Sequence, residues 1–258
     1  MTVELHHGDC LDIMSSIIPR KSIDMILADL PYGTTQCKWD SIIPFESLWE
    51  QYKRIIKPRG AIVLFGSQPF TSALIMSNPK WFKYCWVWEK DKAANVLNAN
   101  KQPLKVCEDI IVFYGKQCGY NPQKEPCKPY RHKNRRVLSN NFGSNAQSYD
   151  PDGYTTYTTK HPRNILYCAK AGGGKGSVHS TQKPVALLEY LIYTYTKESE
   201  TVLDNTMGSG STGVACINTN RSFIGIELYP LEGPIHKKDN PDYFHMAETR
   251  IAQALDSH

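Results

Sequence analysis

The chain reads as an α/β layered fold, a mostly parallel sheet flanked by helices. Three observations predict it. Short apolar runs recur and stop at turn signals, as at Ala28-Asp29, Phe65-Gly66 and Leu203-Asp204. Between them lie segments whose apolar residues keep a helical spacing. One strand-to-helix junction, Leu203-Asp204-Asn205-Thr206-Met207-Gly208-Ser209-Gly210-Ser211-Thr212-Gly213, is a glycine-rich turn, half of a nucleotide-binding unit.

Each element follows in order. Residues 22–29 form an apolar run ended by a turn, which fits a buried strand. Over residues 45–56, Phe45, Leu48, Trp49, Tyr52, Ile55 and Ile56 repeat at helical spacing, and Lys57-Pro58-Arg59-Gly60 closes the helix. Residues 61–66 are a second buried strand. Residues 81–90 alternate, with Phe82, Tyr84, Trp86 and Trp88 on one face and Lys83, Cys85 and Val87 on the other. Residues 110–114 are another strand. From 117 to about 161 the pattern dissolves into Pro, Asn, Lys, Tyr and Ser without sustained periodicity, too long a stretch for an ordinary connection. Order returns at 164–167. A helix over 184–195, a strand over 201–204, a helix from about Ser211, a strand over 222–227 and an amphipathic helix over 243–255 complete the chain.

The 258 residues suit one domain carrying an insertion. The predicted body comprises 1–116 and 162–258, and the insert 117–161. No apolar run is long enough to span a bilayer, and Met1-Thr2-Val3-Glu4 has no signal-peptide pattern, so a cytoplasmic protein with no membrane partner is expected. The eight cysteines form no Cys-x-x-Cys pair and mostly sit in apolar runs, so they read as reduced, mostly buried thiols. The eight histidines lack ligand spacing as well, and no metal site is expected. The net charge of +5 is unevenly spread: residues 116–183 hold twelve Lys/Arg against three acids (Glu125, Asp150, Asp152). Tyr120, Tyr130, Tyr149, Tyr154 and Tyr157 are interleaved with them. A basic, aromatic segment in an acidic body points to a nucleic-acid surface.

In the glycine-rich turn, Gly208 and Gly210 permit close backbone approach and positive φ. Glu227 ends the next strand, 19 residues beyond Gly208, where an acid accepts hydrogen bonds from ribose hydroxyls. Asp204 precedes the glycines and no Gly-x-Gly-x-x-Gly run is present. An acid there suits an ammonium better than a pyrophosphate, which favours S-adenosylmethionine over a dinucleotide. The run Gly172-Gly173-Gly174-Lys175-Gly176-Ser177 fails the phosphate-loop pattern, because Ala169 holds the first Gly place, and reads as a loop.

The first motif, Asp29-Leu30-Pro31-Tyr32, suits a planar aromatic amine. Such a nitrogen is a poor nucleophile because its lone pair is delocalised into the ring. Two acceptors on its hydrogens, the Asp29 carboxylate and the Leu30 carbonyl, would draw it toward a tetrahedral shape and aim it. Pro31 restricts Leu30 to extended backbone, and Tyr32 can stack on the base.

With both motifs in hand, the chain resembles the permuted β class of amino-methylating DNA methyltransferases. Asp29-Leu30-Pro31-Tyr32 is similar to that family's Asp-Pro-Pro-Tyr signature, and residues 203–212 to its Leu-Asp-Pro-Phe-x-Gly-Ser-Gly-Thr-Thr signature. His179-Ser180-Thr181-Gln182-Lys183-Pro184 resembles its Thr-Gln-Lys-Pro motif, and Gly8-Asp9-Cys10 its N-terminal Gly-Asp segment. Residues 223–227, and Tyr243-Phe244 with Ala247 and Arg250, match its C-terminal pattern. The chain departs at Leu30 for the first Pro, at Asn205-Thr206 for Pro-Phe, and in a small insertion over 233–240.

The resemblance implies a Rossmann-like S-adenosylmethionine-dependent methyltransferase fold: seven strands, mostly parallel, in permuted order, with 117–161 as target-recognition insert. It implies catalysis by Asp29, Leu30, Pro31 and Tyr32. Asp9, Cys10, Asp29, Thr181, Gln182, Lys183, Asp204, Met207, Gly208, Ser209, Gly210 and Glu227 would hold the cofactor, Asp9 near its adenine and residues 181–183 near its methionine part. The substrate is expected to be double-stranded DNA, with the target base flipped out of the stack. Tyr32 is expected against the base, with Trp88 as candidate for its other face or else a core residue. Arg131, Lys133, Arg135 and Arg136 are expected on phosphates or guanine edges. Asp29 leans toward adenine N6, whereas cytosine-N4 members more often carry Ser there. RNA or protein amino-group methyltransferases are a weaker alternative, because they place the glycine turn before the grip. A homodimer and a cognate restriction endonuclease are compatible partners, in a bacterial or phage setting.

Overall fold

The structure is a computed structural model and describes residues 1–34, 40–133, 154–169, 182–228 and 242–258. It divides into two compact units, Met1–Asn121 with Asn164–His258, and Pro122–Arg163.

The larger unit runs β1 (Val3–His7), α1 (Cys10–Ser16), β2 (Ile23–Ala28), α2 (Phe45–Ile55), β3 (Ile56–Gly66), α3 (Phe70–Ser77), β4 (Phe82–Glu89) and β5 (Cys107–Phe113). The smaller unit contributes β6 (Glu125–Lys133) and β7 (Tyr154–Lys160). The chain then continues with β8 (Ile165–Tyr167), α4 (Val185–Tyr195), β9 (Thr201–Asp204), α5 (Ser211–Asn218), β10 (Ser222–Glu227) and α6 (Tyr243–Asp256). Among the described residues the sheet has eight strands rather than the seven the resemblance implies, in the order β1-β10-β9-β2-β3-β5-β4-β8. β3–β5 and β5–β4 are its antiparallel pairings and every other neighbour is parallel. The eighth strand is the three-residue β8, which lies where order was expected to return and pairs with β4 at the edge of the sheet.

Strand alternation sends side chains to two apolar layers. Met25 and Leu27 join Val63, Phe65 and Val202 against α4, α5 and α6. Ile26, Ala28, Ile62 and Leu64 pack against α1, α2 and α3, where Leu48, Trp49, Tyr52 and Ile55 give α2 its expected buried stripe. The helix after β2 therefore lies on one face and the helix after β9 on the other, although β2 and β9 are hydrogen-bonded neighbours (Met25↔Val202, Ile26↔Leu203). A crevice opens where adjacent strands send their helices to opposite faces.

Three local expectations change. Residues 57–60 do not form a separate turn. They bulge out of the β2–β3 pair, whose register jumps from Ile23↔Ile56 to Met25↔Ala61. Gly60 sits there because a Cβ would lie 2.7 Å from both Asp24 O and Ile56. In β4, the register shifts between Phe82 and Tyr84. Phe82 consequently packs with Phe113 on the opposite face from Tyr84, Trp86 and Trp88.

The third change lies in the smaller unit, where β6 and β7 form an antiparallel ribbon instead of patternless chain. Pro126 stands opposite Thr159, and the register breaks between Pro126 and Tyr130, so Pro129 falls in an irregularity, where proline is tolerated. β6 is largely exposed and no residue of either strand is fully buried, so no apolar alternation betrays them. Tyr130 stacks on Tyr157 at 5.3 Å, and the Arg131 guanidinium lies 5.0 Å from the Tyr154 ring. Lys133 closes the register opposite Tyr154. Arg135, Arg136 and Tyr149 lie outside the described residues, as do the 172–177 loop and the 233–240 insertion. Among the described residues no helix is long and apolar enough to cross a membrane, and no His/Cys/Asp/Glu group could hold a metal. The seven described cysteines are free, and Cys10, Cys118 and Cys216 are buried.

Gly213 tests the packing on β10. An added Cβ would gain helix propensity but would lie 2.5 Å from Ile251 Cδ1 and 2.8 Å from the buried Phe223 ring. Gly213→Ala is expected to lower stability by about 1–3 kcal/mol in chemical denaturation, through overpacking. A neutral or stabilising result would contradict the tight α5–β10–α6 junction.

Candidate active site

The crevice between β2 and β9 opens into a cavity of about 780 Å³. Its wall draws on the ends of β1, β2, β9 and β10, the loop after β4, the start of β5 and the approach to α4. Parallel strands that end at one edge bring together residues far apart in sequence.

The glycine-rich turn is fixed from several sides. Gly208 (φ +51°) and Gly210 (φ +77°) adopt the left-handed backbone their sequence suggested. Nothing lies within 4 Å of where a Gly208 Cβ would stand, so backbone is open to a ligand, whereas a Gly210 Cβ would strike Ala247 at 2.9 Å. Glu227 Oε2 accepts the Gly208 N–H at 2.7 Å. Arg250 of α6 donates to Ser209 O and, at 2.9 Å, to Ser209 Oγ. Met207 N–H donates to Ile226 O at 3.0 Å, and its sulfur lies against Gly225.

Asp204 lies buried on the cavity wall. Its Oδ1 accepts the Thr206 N–H at 3.1 Å and its Oδ2 the Thr212 hydroxyl at 2.6 Å. No Lys or Arg among the described residues pairs with it. Burial pushes its pKa up to about 7, against the lowering by its two hydrogen bonds. Asp9 caps α1 by accepting from Leu11 N–H at 2.8 Å, and lies beside Glu227 because His7 pairs with Glu227 across β1–β10. Cys10 is buried, its thiol raised to about 11 by burial, and its sulfur accepts from Asn205 Nδ2 at 3.6 Å.

At the end of β2 both Asp29 oxygens are engaged. Oδ1 accepts the Tyr32 hydroxyl at 2.7 Å, and Oδ2 pairs with the Lys183 ammonium. Leu30 is buried, and Pro31 follows it on the cavity wall. Tyr32 stacks one ring face on Phe70 at 4.9 Å. Burial, then the Asp29 charge, raises its phenol well above the usual value. Gln182 Oε1 is buried without a hydrogen-bond partner and lines the cavity, while Thr181 lies outside the described residues. Lys183, expected from the resemblance beside a cofactor's methionine part, lines the cavity and bridges Asp29 and Glu108, 3.6 Å from Glu108 Oε2. Its ammonium also lies 4.9 Å from the Phe65 ring. Burial alone would lower the Lys183 pKa, but the two acids outweigh it and raise it. Burial likewise opposes ionisation of Glu108, yet Lys183 and Lys90 hold its pKa low.

Trp88 borders the cavity from the core. It is 2% exposed, its indole N–H donates to Cys168 O at 2.8 Å, and the Lys90 ammonium lies 4.7 Å from its ring. Its ring thus packs with the core while lining the cavity.

Several contributors escaped the sequence reading. The Thr206 hydroxyl donates to Asp29 O at 3.1 Å and ties the two motifs directly. Its neighbour Asn205 accepts from the buried Tyr52 hydroxyl at 2.6 Å. Asp40 accepts the N–H groups of Gly33 and Thr34, both at 2.8 Å, and shapes the loop after Tyr32. Glu108 and Lys90 meet because Trp88 pairs with Glu108 across β4–β5. Only strand register reveals that meeting.

These features define a ligand cleft at the carboxyl edge of a permuted Rossmann-like sheet. The DNA methylase family pattern matches residues 23–232, and the chain belongs to that family, the amino-methylating β class. It is 24% identical over 242 residues to the type II methyltransferase M1.MboII of Moraxella bovis, covering 87% of this chain and 91% of that one. Among solved structures it is similar to the M1.HpyAVI–SAM complex (22% identity, TM-score 0.64, 97% of this chain and 99% of that one). It is equally similar in fold to the cytosine-N4-specific PvuII DNA methyltransferase (14% identity, TM-score 0.64, 99% and 92%).

The raised Asp204 pKa gives a signed expectation. Between pH 4 and 7 the unfolded chain has lost this proton while the native state keeps it until about 7. The Asp204 contribution to stability is thus fully present below about pH 4 and lost as pH rises to about 7. The melting temperature of wild type minus that of Asp204→Asn should fall across that interval and level off above it. A pH-independent difference would contradict the burial of an unpaired carboxyl.

Proposed function

We propose that the chain transfers a methyl group from S-adenosylmethionine to an exocyclic amino group in double-stranded DNA, with adenine N6 as the target. The observation that carries this reading is the position of Asp29. Its carboxylate faces the same cavity as the glycine-rich turn, and its backbone oxygen is bonded to that turn through Thr206.

The cavity residues fit the cofactor's chemistry. Glu227 and Asp9, on neighbouring strand ends, offer acceptors to ribose and adenine donors. The open side of Gly208 admits a ligand against backbone. Asp204, a buried acid lacking a cation, and Gln182 Oε1, a buried acceptor lacking a donor, both suit an ammonium. The volume lies within the usual 300–1,000 Å³ range for such sites. When bound, S-adenosylmethionine supplies an electrophilic methyl group.

The chain's own residues would do the rest by orientation and preset electrostatics. The target amino group donates one hydrogen to the Asp29 carboxylate and the other to the Leu30 carbonyl, which turns the nitrogen lone pair out of conjugation. Tyr32 and Lys183 hold the two Asp29 oxygens in place, and Glu108 holds Lys183. Tyr32 has one face on Phe70, so its other face is the one for a base. The insert 117–161 serves as target-recognition region, with Arg131 and Lys133 on a two-stranded ribbon of a kind that fits the DNA major groove. Arg135 and Arg136 belong to the same basic segment.

The choice of adenine rests on Asp29, and similarity to a cytosine-N4 enzyme in fold makes N4 the second reading. Genomic DNA incubated with labelled cofactor and then hydrolysed should yield N6-methyladenine. N4-methylcytosine alone would overturn the target, and label found only in RNA or protein would overturn the substrate. Asp29→Ala should lower turnover by about 10³-fold or more while cofactor binding persists. Wild-type turnover in that variant would refute the assigned role.

A further inference from the structure

The loop 91–106 joins the antiparallel strands β4 and β5 beside the cavity, where Ala93 and Ala94 line the wall. It is an ordered projection. At its stem, Lys90 N–H donates to Val106 O at 2.7 Å and Ala94 N–H to Lys105 O at 2.9 Å. Asn95 braces the neck, donating to Pro103 O and accepting from Lys105 N–H. The tip is a run of tight turns: Asn98 N–H to Asn95 O at 2.9 Å, Ala99 N–H to Val96 O at 3.1 Å, and Lys101 N–H to Asn98 O at 2.8 Å.

This tip turns apolar side chains outward. Leu97 is 100% exposed and Val96 64%. Covering a fully exposed leucine removes unfavourable hydration, so such a tip has a standing affinity for a slot that accepts it. The chemistry around it selects the slot. Residues 91–106 carry Lys92, Lys101 and Lys105 against Asp91 alone, and Lys92 and Lys101 are exposed beside the tip. A narrow convex projection does not supply the broad face, about 800 Å² per partner, of a stable protein dimer. An apolar point with basic flanks instead matches a nucleic-acid duplex, where wedge side chains enter between base pairs and lysines meet phosphates.

We propose that Leu97, backed by Val96, is a wedge that enters the duplex and occupies the stack as the target base moves into the cavity. This inference rests on the DNA reading above and assigns the extrusion step to a particular element. Extrusion is opposed by lost stacking and pairing, least of all for a mispaired base. The wedge therefore matters most where the target is fully paired.

Once the modified sequence has been mapped, two duplexes test the proposal, one fully paired and one mispaired at the target base. Leu97→Ala should lower kcat/KM on the paired duplex by about tenfold or more and recover most of wild-type activity on the mispaired one. A 2-aminopurine at the target position should brighten less with the variant than with wild type. Leu97→Asp should give the same pattern more severely, and the exposed site should leave both variants' melting temperatures unchanged. Equal losses on both duplexes, an unimpaired Leu97→Ala, or a loss that tracks a change from dimer to monomer would each overturn the wedge. A wild type that modifies neither duplex would overturn the DNA reading and the wedge with it, whereas an active wild type with an unimpaired variant removes the wedge alone.

Discussion

The site depends on the parallel pairing of β2 with β9. Two strands about 175 positions apart in the chain lie side by side at the centre of the sheet, and both end at the same edge. One end delivers Asp29 and the other Asp204 with the glycine turn. Their following helices leave to opposite faces, so backbone does not fill the space above the pair. The cleft is thus a result of connectivity before any functional side chain is considered. Thr206 then fixes the distance between the two motifs with a single hydrogen bond.

Charge inside this cleft is arranged as an alternating chain, Asp29–Lys183–Glu108–Lys90. A half-buried carboxylate without a partner is costly, and Lys183 answers that cost for two at once. The arrangement also restricts rotation of Asp29, whose oxygens are held by Tyr32 and Lys183. Asp204 shows the contrasting case, an acid kept in the wall by neutral donors alone and therefore reluctant to ionise. In the proposed reaction the first carboxylate aligns a substrate and the second awaits a cation.

Much of this architecture was legible in the sequence, because periodicity and turn chemistry are local. The runs ending at Asp29 and Glu227, the α2 stripe and the bend at Gly208 and Gly210 all follow from residues adjacent in the chain. The parts that escaped are those set by register. Phe82 changes face because of one irregularity in β4, and the β6–β7 ribbon carries Pro126 and Pro129 around a break in its register. Glu108 acquires meaning only opposite Trp88 and beside Lys183. The departures at Asn205-Thr206 became intelligible in the same way: in place of an apolar pair they form a polar link from Tyr52 to Asp29.

The central claim is that Asp29 and the neighbouring peptide oxygen hold the amino group of an extruded base. A crystal structure of the protein with a target duplex and S-adenosylhomocysteine tests it most directly. The account predicts the target amino nitrogen within hydrogen-bond reach of both the Asp29 carboxylate and the Leu30 carbonyl. A base bound elsewhere in the cleft, or a residue 29 side chain turned away from it, would contradict the account.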